Sequence, residues 1–386
     1  MKGILYKSKK IREEQMLWGM IEVGIDSYKS EILVDLDDLV DEQVEAVMKE
    51  VVQYDFAITR NFSTSVAEAC HRVGVPYISW CYDSPVMALY RPEALYDTNV
   101  IFAFDKQQYN RLRAIGISNV YYQPLVANMA KASAAVITDE DIARLKCDIS
   151  FVGKLYNNDH YERMGKNLSA QAIDDLEKLY NDFLCNWEAD GGIFNKLKDE
   201  TIDDMYNYMS KENLDNYNVS KRFVLENIVP VLELTSRERV TILGYAGDNY
   251  NTVIHTYDPE KYREKLSARL EPPVKNLSDE LYRIYASATI NLNITMRGIE
   301  SGLPQRIYDI MSVGGCVMSN YQSEACELFV PEKEIILFKS FDEYKDKLAY
   351  YLKHEQQCLE IGARGYLKCR DLYNYPNAIK NMIEKL

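Results

Sequence analysis

Four places in the 386-residue chain combine residue types that could do chemistry on a phosphorylated or hydroxyl-rich ligand. Gly153-Lys154 follow the apolar run Asp148-Ile149-Ser150-Phe151-Val152, which puts a glycine and a cation at the end of a strand. A glycine there lets backbone N–H groups approach a phosphate, and a lysine can neutralise the charge of a leaving group. Arg306 and Asp309 are spaced i,i+3 in Pro304–Val313, on one face of a predicted helix. The guanidinium fork suits a pair of diphosphate oxygens, and a carboxylate accepts two hydrogen bonds from a cis-diol. The same spacings also make an ordinary turn and an ordinary surface ion pair, and both alternatives stay open. Arg297-Gly298, after the strand ending near Thr295, is a further positive candidate. Asp83 ends the apolar run Tyr77–Tyr82 and precedes Ser84-Pro85, so it could take a proton from a hydroxyl or could cap the next segment.

No metal centre is expected. The eight cysteines are scattered singly without a C-x-x-C pair, and His71, His160, His255 and His354 have no ligand spacing. Buried free thiols in a reducing compartment are the simplest reading of such cysteines.

Elements able to position these groups are legible on both sides of residue 140. In the first 130 residues, strands are expected at Gly3–Tyr6, Glu31–Leu36, Asp55–Thr59, Pro76–Cys81, Val100–Phe104 and Asn119–Tyr122. Helices fall between them, as at Glu42–Val52 with Val44, Val47, Met48, Val51 and Val52 on one stripe, and at Ser65–Val73. Short strands alternating with helices specify βαβ units and a parallel sheet. Residues 130–146 read as a connection. The pattern then restarts at Asp148–Lys154, pauses over a helical insertion at about 157–237, and resumes with strands at Val240–Tyr245, Ala288–Ile294, Cys316–Ser319 and Glu334–Phe338. Helices are expected to begin near Asp279, Pro304, Phe341 and Gln356. The domains are therefore drawn as 1–135 and 147–386. Open parallel sheets bind ligands at the carboxyl ends of their strands, which favours a nucleotide or phosphorylated ligand in the cleft that two such domains would form.

Composition narrows the class. A formal charge of −14 works against nucleic-acid binding, and 47% apolar with 27% charged residues fits a folded globular chain. No run approaches the roughly 18 apolar residues of a membrane span, and the first strand begins almost at Met1, so a cytoplasmic location is the default expectation.

Several runs are more specific. They are Tyr77-Ile78-Ser79-Trp80-Cys81-Tyr82-Asp83-Ser84-Pro85, Val100–Asp105, Asp148–Tyr156, and the long stretch Gly302-Leu303-Pro304-Gln305-Arg306-Ile307-Tyr308-Asp309 through Ser319-Asn320-Tyr321-Gln322 to Pro331–Glu334. Together they resemble the spore-maturation-protein-like glycosyltransferases, a GT-B family. The resemblance implies an α/β GT-B fold of two Rossmann-like, doubly wound domains facing a cleft, with the nucleotide-sugar donor held by the second. It implies that Asp309, where relatives often have Glu, holds the donor's ribose hydroxyls, and that Arg306, Gly153 and Lys154 hold the diphosphate. Arg297, Glu300, Gly302 and Tyr321 complete the candidate donor set. Many retaining relatives in fold carry two glutamates separated by seven residues. Here Glu300 stands nine positions before Asp309, so that pattern is absent or displaced.

The implied reaction moves a hexosyl or N-acetylhexosaminyl group from a nucleoside diphosphate donor, UDP as first guess, to an unknown protein or glycan acceptor. Asp83 is the candidate base in an inverting transfer. Side-chain cations and helix N-termini can meet the leaving-group charge, so no cofactor and no divalent metal are expected. A nucleotide-sugar epimerase and a non-catalytic nucleotide- or carbohydrate-binding module remain the alternatives.

Overall fold

The computed structural model describes residues 1–8, 14–36, 38–156, 159–187, 193–209, 219–275 and 278–386. The chain forms two compact units. One is built chiefly from Met1–Val126 and Leu372–Leu386, and the other from Ala127–Glu212 and Lys221–Asp371.

The first unit alternates strands and helices. Its elements are β1 (Lys2–Ser8), α1 (Glu14–Glu22), β2 (Asp26–Val34), α2 (Asp41–Val51), β3 (Phe56–Arg60), α3 (Thr64–Val73), β4 (Tyr77–Trp80), β5 (Asn99–Ala103), α4 (Lys106–Ala114) and β6 (Val120–Tyr122). The six strands pair in parallel in the order β2-β1-β3-β4-β5-β6. β4 and β5 are buried along their whole length, as strands covered on both faces must be. α2 buries Val44, Val47 and Val51, but Val52 lies just past its end and is exposed. α3 starts on a Ser63 cap and stops at Gly74, whose φ of 71° suits the left-handed end of a helix.

The second unit opens with α5 (Met129–Ala134) and α6 (Asp139–Leu145) and then β7 (Cys147–Val152). A helical insertion follows: α7 (Asp159–Gly165), α8 (Ala170–Phe183), α9 (Asp199–Tyr208), α10 (Lys221–Ile228) and α11 (Pro230–Asn249). The remainder is β8 (Thr252–His255), β9 (Arg269–Glu271), α12 (Asp279–Ser287), β10 (Ala288–Asn293), α13 (Gln305–Met311), β11 (Val317–Asn320), α14 (Ser323–Leu328), β12 (Ile336–Phe338), α15 (Phe341–Leu352) and α16 (Glu355–Asp371). Its six strands are also parallel, in the order β12-β11-β10-β7-β8-β9. The chain finishes with α17 (Tyr375–Ile383), which belongs to the first unit. Among the described residues no helix is long and apolar enough to cross a membrane.

Three expectations need correction. Val240–Tyr245 is not a strand but the middle of α11, because Val231, Leu234, Thr235, Glu238, Arg239, Ile242, Leu243 and Ala246 form one buried helical stripe that outweighs local β propensity. The run 130–146 is not a free connection. Lys131 pairs with Asp279 at 3.1 Å, and Arg144 with Glu280 at 3.4 Å, which docks α5 and α6 on α12. The second unit stops at Asp371 rather than running to 386, because α17 packs on α1 in the first. There Tyr375 Cβ comes within 3.0 Å of where a side chain on Gly19 would begin.

Candidate functional site

In each parallel sheet the chain leaves one central strand in one direction and later resumes on its other side. In the second unit that reversal lies between β7 and β10, and the crevice at the carboxyl ends of such a strand pair is where open α/β sheets bind ligands. Two arginines converge there.

Arg306, in the first turn of α13, donates from Nη1 to Asn293 Oδ1 at 2.8 Å, at the end of β10. Its guanidinium carbon lies 5.1 Å from the centroid of the Phe151 ring, on β7. Asn293 is buried and turns its own amide N–H groups to Thr295 and Ser319, both at 2.9 Å. Arg306 is thus directed into the crevice by a buried amide. It is not organised by an i,i+3 pair with Asp309, whose Oδ1 accepts from Gln305 Nε2 at 2.9 Å.

Gly153 plays a different part from the one expected. Its N–H is spent on the sheet, donating to His255 O at 2.9 Å. A side chain at this position would begin 2.5 Å from Arg306 Nη2 and 3.2 Å from Phe151. The glycine is there to make room for a guanidinium. Lys154 is exposed, with Nζ 5.7 Å from the Tyr257 ring, and lines a cavity of about 450 Å³ with Tyr156, Tyr257, Asp258, Lys261 and Tyr262.

The second arginine, Arg239 on α11, was not among the sequence candidates. It is 3% exposed, donates from Nη2 to Ile294 O at 2.6 Å and from Nη1 to Lys154 O at 2.5 Å, and leaves Nε unpartnered. Its carbon lies 5.6 Å from the Phe151 ring and 4.8 Å from the Tyr156 ring. Burial, with repulsion from Arg306 among the lesser causes, holds it down at about 10. It has no carboxylate within ion-pair distance among the described residues, so two cations share the face of one aromatic ring at the crevice. The sequence signal was a charged pair, Glu238-Arg239, inside the apolar stripe of α11.

Arg297 does not join them. Its Nε donates to Glu238 Oε1 at 3.0 Å, and its Nη2 donates to Phe183 O at 2.8 Å and Asn186 O at 2.7 Å. It ties the loop after β10 to the helical insertion, and burial pushes the Glu238 carboxyl up despite that partner. Arg297 as a donor-binding cation is therefore a misreading. Asp309 is 8% exposed, so its carboxylate is buried rather than facing open solvent. Glu300 is half-buried and Gly302 buried on the loop between β10 and α13. That loop is clamped to α14 where Ser301 Oγ donates to Glu324 Oε1 at 2.7 Å and Gln322 Nε2 to Ile299 O at 3.0 Å. Tyr321 packs against the main core with the Lys339 ammonium 4.4 Å from its ring centroid, one strand away from the arginines.

In the first unit Asp83 lies past the end of β4, exposed, its Oδ2 accepting from Asn61 Nδ2 at 2.6 Å. It caps no helix, since the following 3-10 turn, Met87–Tyr90, starts from Val86 without a side-chain cap. Among the described residues no group of three or more His, Cys, Asp or Glu could hold a metal ion. Two Asp-x-Asp triplets occur, Asp35-Leu36-Asp37 and Asp139-Glu140-Asp141. Asp141 closes a capping box on Thr138, and Asp37 lies outside the described residues.

Residues 222–384 match a family model described as glycosyl transferase-like. No curated protein sequence matches the chain. Among solved structures, Anabaena HepE in complex with UDP is similar at a TM-score of 0.56 and 8% identity, over 100% of both chains. An α-glucosyltransferase in complex with UDP-glucose and DNA containing an abasic site is similar at 0.56 and 10%, over 100% of this chain and 98% of that one. HepE with UDP-glucose gives 0.55 and 8%, over 100% and 98%. At these identities the likeness establishes the fold: two Rossmann-like units of six parallel strands each, as in GT-B glycosyltransferases.

Proposed function

We propose that the protein is a glycosyltransferase that takes a sugar from a nucleoside diphosphate donor bound at the β7–β10 crevice. The observation that carries this reading is the pair of arginines, Arg306 and Arg239, on the Phe151 ring at the switch point of the second sheet. A diphosphate brings two or more negative charges, and guanidinium forks match its oxygen pairs. Arg306, half-buried, would touch the phosphates. Arg239 lies behind it, holding Lys154 O and Ile294 O so that both flanking loops keep their places. As the sugar–oxygen bond breaks, charge grows on the leaving diphosphate, and preorganised cations in a site of low polarity stabilise it.

The match over 222–384 to a glycosyl transferase-like model covers this crevice apart from β7, and the similar folds include proteins in complex with UDP and UDP-glucose. Both support a UDP-sugar as donor. Within this reading Asp309 holds the ribose, the transferred group is hexosyl or N-acetylhexosaminyl, and Asp83 is the base for an acceptor hydroxyl. Membership of the spore-maturation-protein-like branch, a protein or glycan acceptor and a cytoplasmic reaction belong to the same proposal.

Calorimetric titration with UDP, UMP and uridine tests it. Affinity should fall in that order, by about 10-fold or more per phosphate at 1.4 kcal/mol each, and should survive excess EDTA. Arg306→Met should bring UDP down to the level of UMP or below. Uridine binding as tightly as UDP would overturn the diphosphate site, and collapse on chelation would overturn the metal-independent part.

A further inference from the structure

The first unit has a switch point of its own. With strand order β2-β1-β3-β4-β5-β6, the chain reverses between β1 and β3. The last residue of β3 is Arg60. Its guanidinium carbon lies 3.9 Å from the centroid of the Tyr82 ring, and its Nε is buried without a hydrogen-bond partner. The Arg60 side chain makes no hydrogen bond and no ion pair among the described residues. Other enclosed arginines are engaged: Arg297 with Glu238, Arg306 with Asn293, Arg91 with Asp38 at 3.3 Å. In a chain with 59 acidic and 45 basic residues, an arginine held away from every carboxylate among the described residues needs a reason.

The platform under it is rigid. Tyr82 OH and Tyr375 OH are hydrogen-bonded at 2.8 Å, and the buried Trp80 meets both rings edge-on, at 5.0 and 5.6 Å between centroids. Asn61, the next residue, sits in the left-handed region at φ 60°. Its Oδ1 accepts from the N–H groups of Tyr82 at 2.7 Å and Asp83 at 3.2 Å, while Nδ2 holds Asp83 Oδ2. A guanidinium stacked on an aromatic face keeps its in-plane N–H groups for a bidentate partner, which in protein chemistry is a carboxylate or a phosphate.

We propose that Arg60 is an anion-binding residue at the switch point of the first unit, and that the sugar acceptor carries a carboxylate or phosphate group held there. The word acceptor rests on the glycosyltransferase reading; the anion site does not. Tyr82 and Asn61 act as positioning residues, one as the stacking platform and the other as the link between the arginine and Asp83.

The test is calorimetry on the full chain with glucuronate, glucose 6-phosphate and neutral glucose as probes, and UDP in parallel. At least one of the two anionic sugars should bind about 10-fold or more tightly than glucose, the factor that 1.4 kcal/mol represents. The anion that gains more identifies the group as carboxylate or phosphate. Arg60→Gln should abolish the preference. Arg60→Lys, which keeps a charge and an aliphatic stem on Tyr82 but loses the fork, should retain part of it. UDP affinity should be unchanged in both, which also certifies that the variants are folded. If neither anion outbinds glucose, or the preference persists in Arg60→Gln, the proposal is overturned. If wild-type protein binds the anions through Arg60 but not UDP, the anion site stands and the donor reading falls.

Discussion

A single methyl group can separate the arginine crevice from a fortuitous arrangement. An ideal Cβ on Gly153 stands 2.5 Å from Arg306 Nη2, whereas non-bonded heavy atoms settle at about 3.5–4.0 Å. In Gly153→Ala the guanidinium must therefore retreat by about 1 Å, and the 2.8 Å bond to Asn293 passes out of range. Loss of one charge-assisted hydrogen bond to a phosphate costs about 1.5–3 kcal/mol, or roughly 10- to 150-fold in UDP affinity. Stability should hardly move. Gly153 is not among the positive-φ glycines, so alanine fits its backbone and gains about 0.4–1 kcal/mol by restricting the unfolded chain. The loss of the Asn293 bond takes back about 0.5–1.5 kcal/mol. Gly244→Ala on α11, whose nearest neighbour is Leu266 Cδ2 at 3.8 Å, is the matched control. Calorimetric titration with UDP, beside thermal melts of the same samples, reads both quantities. If Gly153→Ala binds UDP within twofold of wild type while remaining folded, the guanidinium is not where the diphosphate goes.

Two further expectations follow from burial. Asp309→Ala should cut UDP affinity about 10- to 150-fold, with Asp309→Asn intermediate. Because Asp309 is 8% exposed and bonded to Gln305, the alanine variant should also lose about 1–3 kcal/mol of stability, which a denaturant titration measures; undiminished UDP binding in folded Asp309→Ala would remove it from the site. His255, at the end of β8, is held below its usual range chiefly by burial. Its neutral form is favoured in the folded state, so the stability it contributes is present above the unfolded value near 6.5 and is lost as pH falls through the lower folded value. Melting temperatures from pH 7.5 to 5 should decline less steeply in His255→Gln than in wild type, and parallel declines would exclude it.

The central strands β3, β4 and β5 of the first unit were readable because each is a short buried run with a turn signal on either side. The insertion was readable because its helices repeat apolar residues at helical spacing. The misplaced strand at Val240–Tyr245 marks the limit of such reading: β-branched residues fit both periods, and what decides is the stripe from Val231 to Ala246, more than twice as long as the window that misled. Gly153 and Arg306 were found as separate candidates, but the contact between them spans a crevice that no local spacing encodes. Arg297 failed for the converse reason. An arginine after a strand looks free until Glu238, 59 residues away, is brought beside it.

Glu238 and Arg239 deserve to be read as a pair, because the chain could have matched them to each other and does not. Neighbours on a helix point about 100° apart, so their side chains leave α11 in different directions. Glu238 meets Arg297 and is satisfied within the protein, whereas Arg239 meets two backbone carbonyls, which accept its hydrogen bonds without cancelling its charge. Burying an arginine that way costs more than burying it against a carboxylate, and its lowered proton affinity records that cost. A purely structural clamp between the β7 and β10 loops could be made by a neutral amide at less expense. Under the proposed function the retained charge beside Arg306 is matched by the diphosphate, which a neutral clamp would not do. The unpaired cation of the second unit is thus a reason for testing an anionic ligand that does not depend on likeness to other proteins.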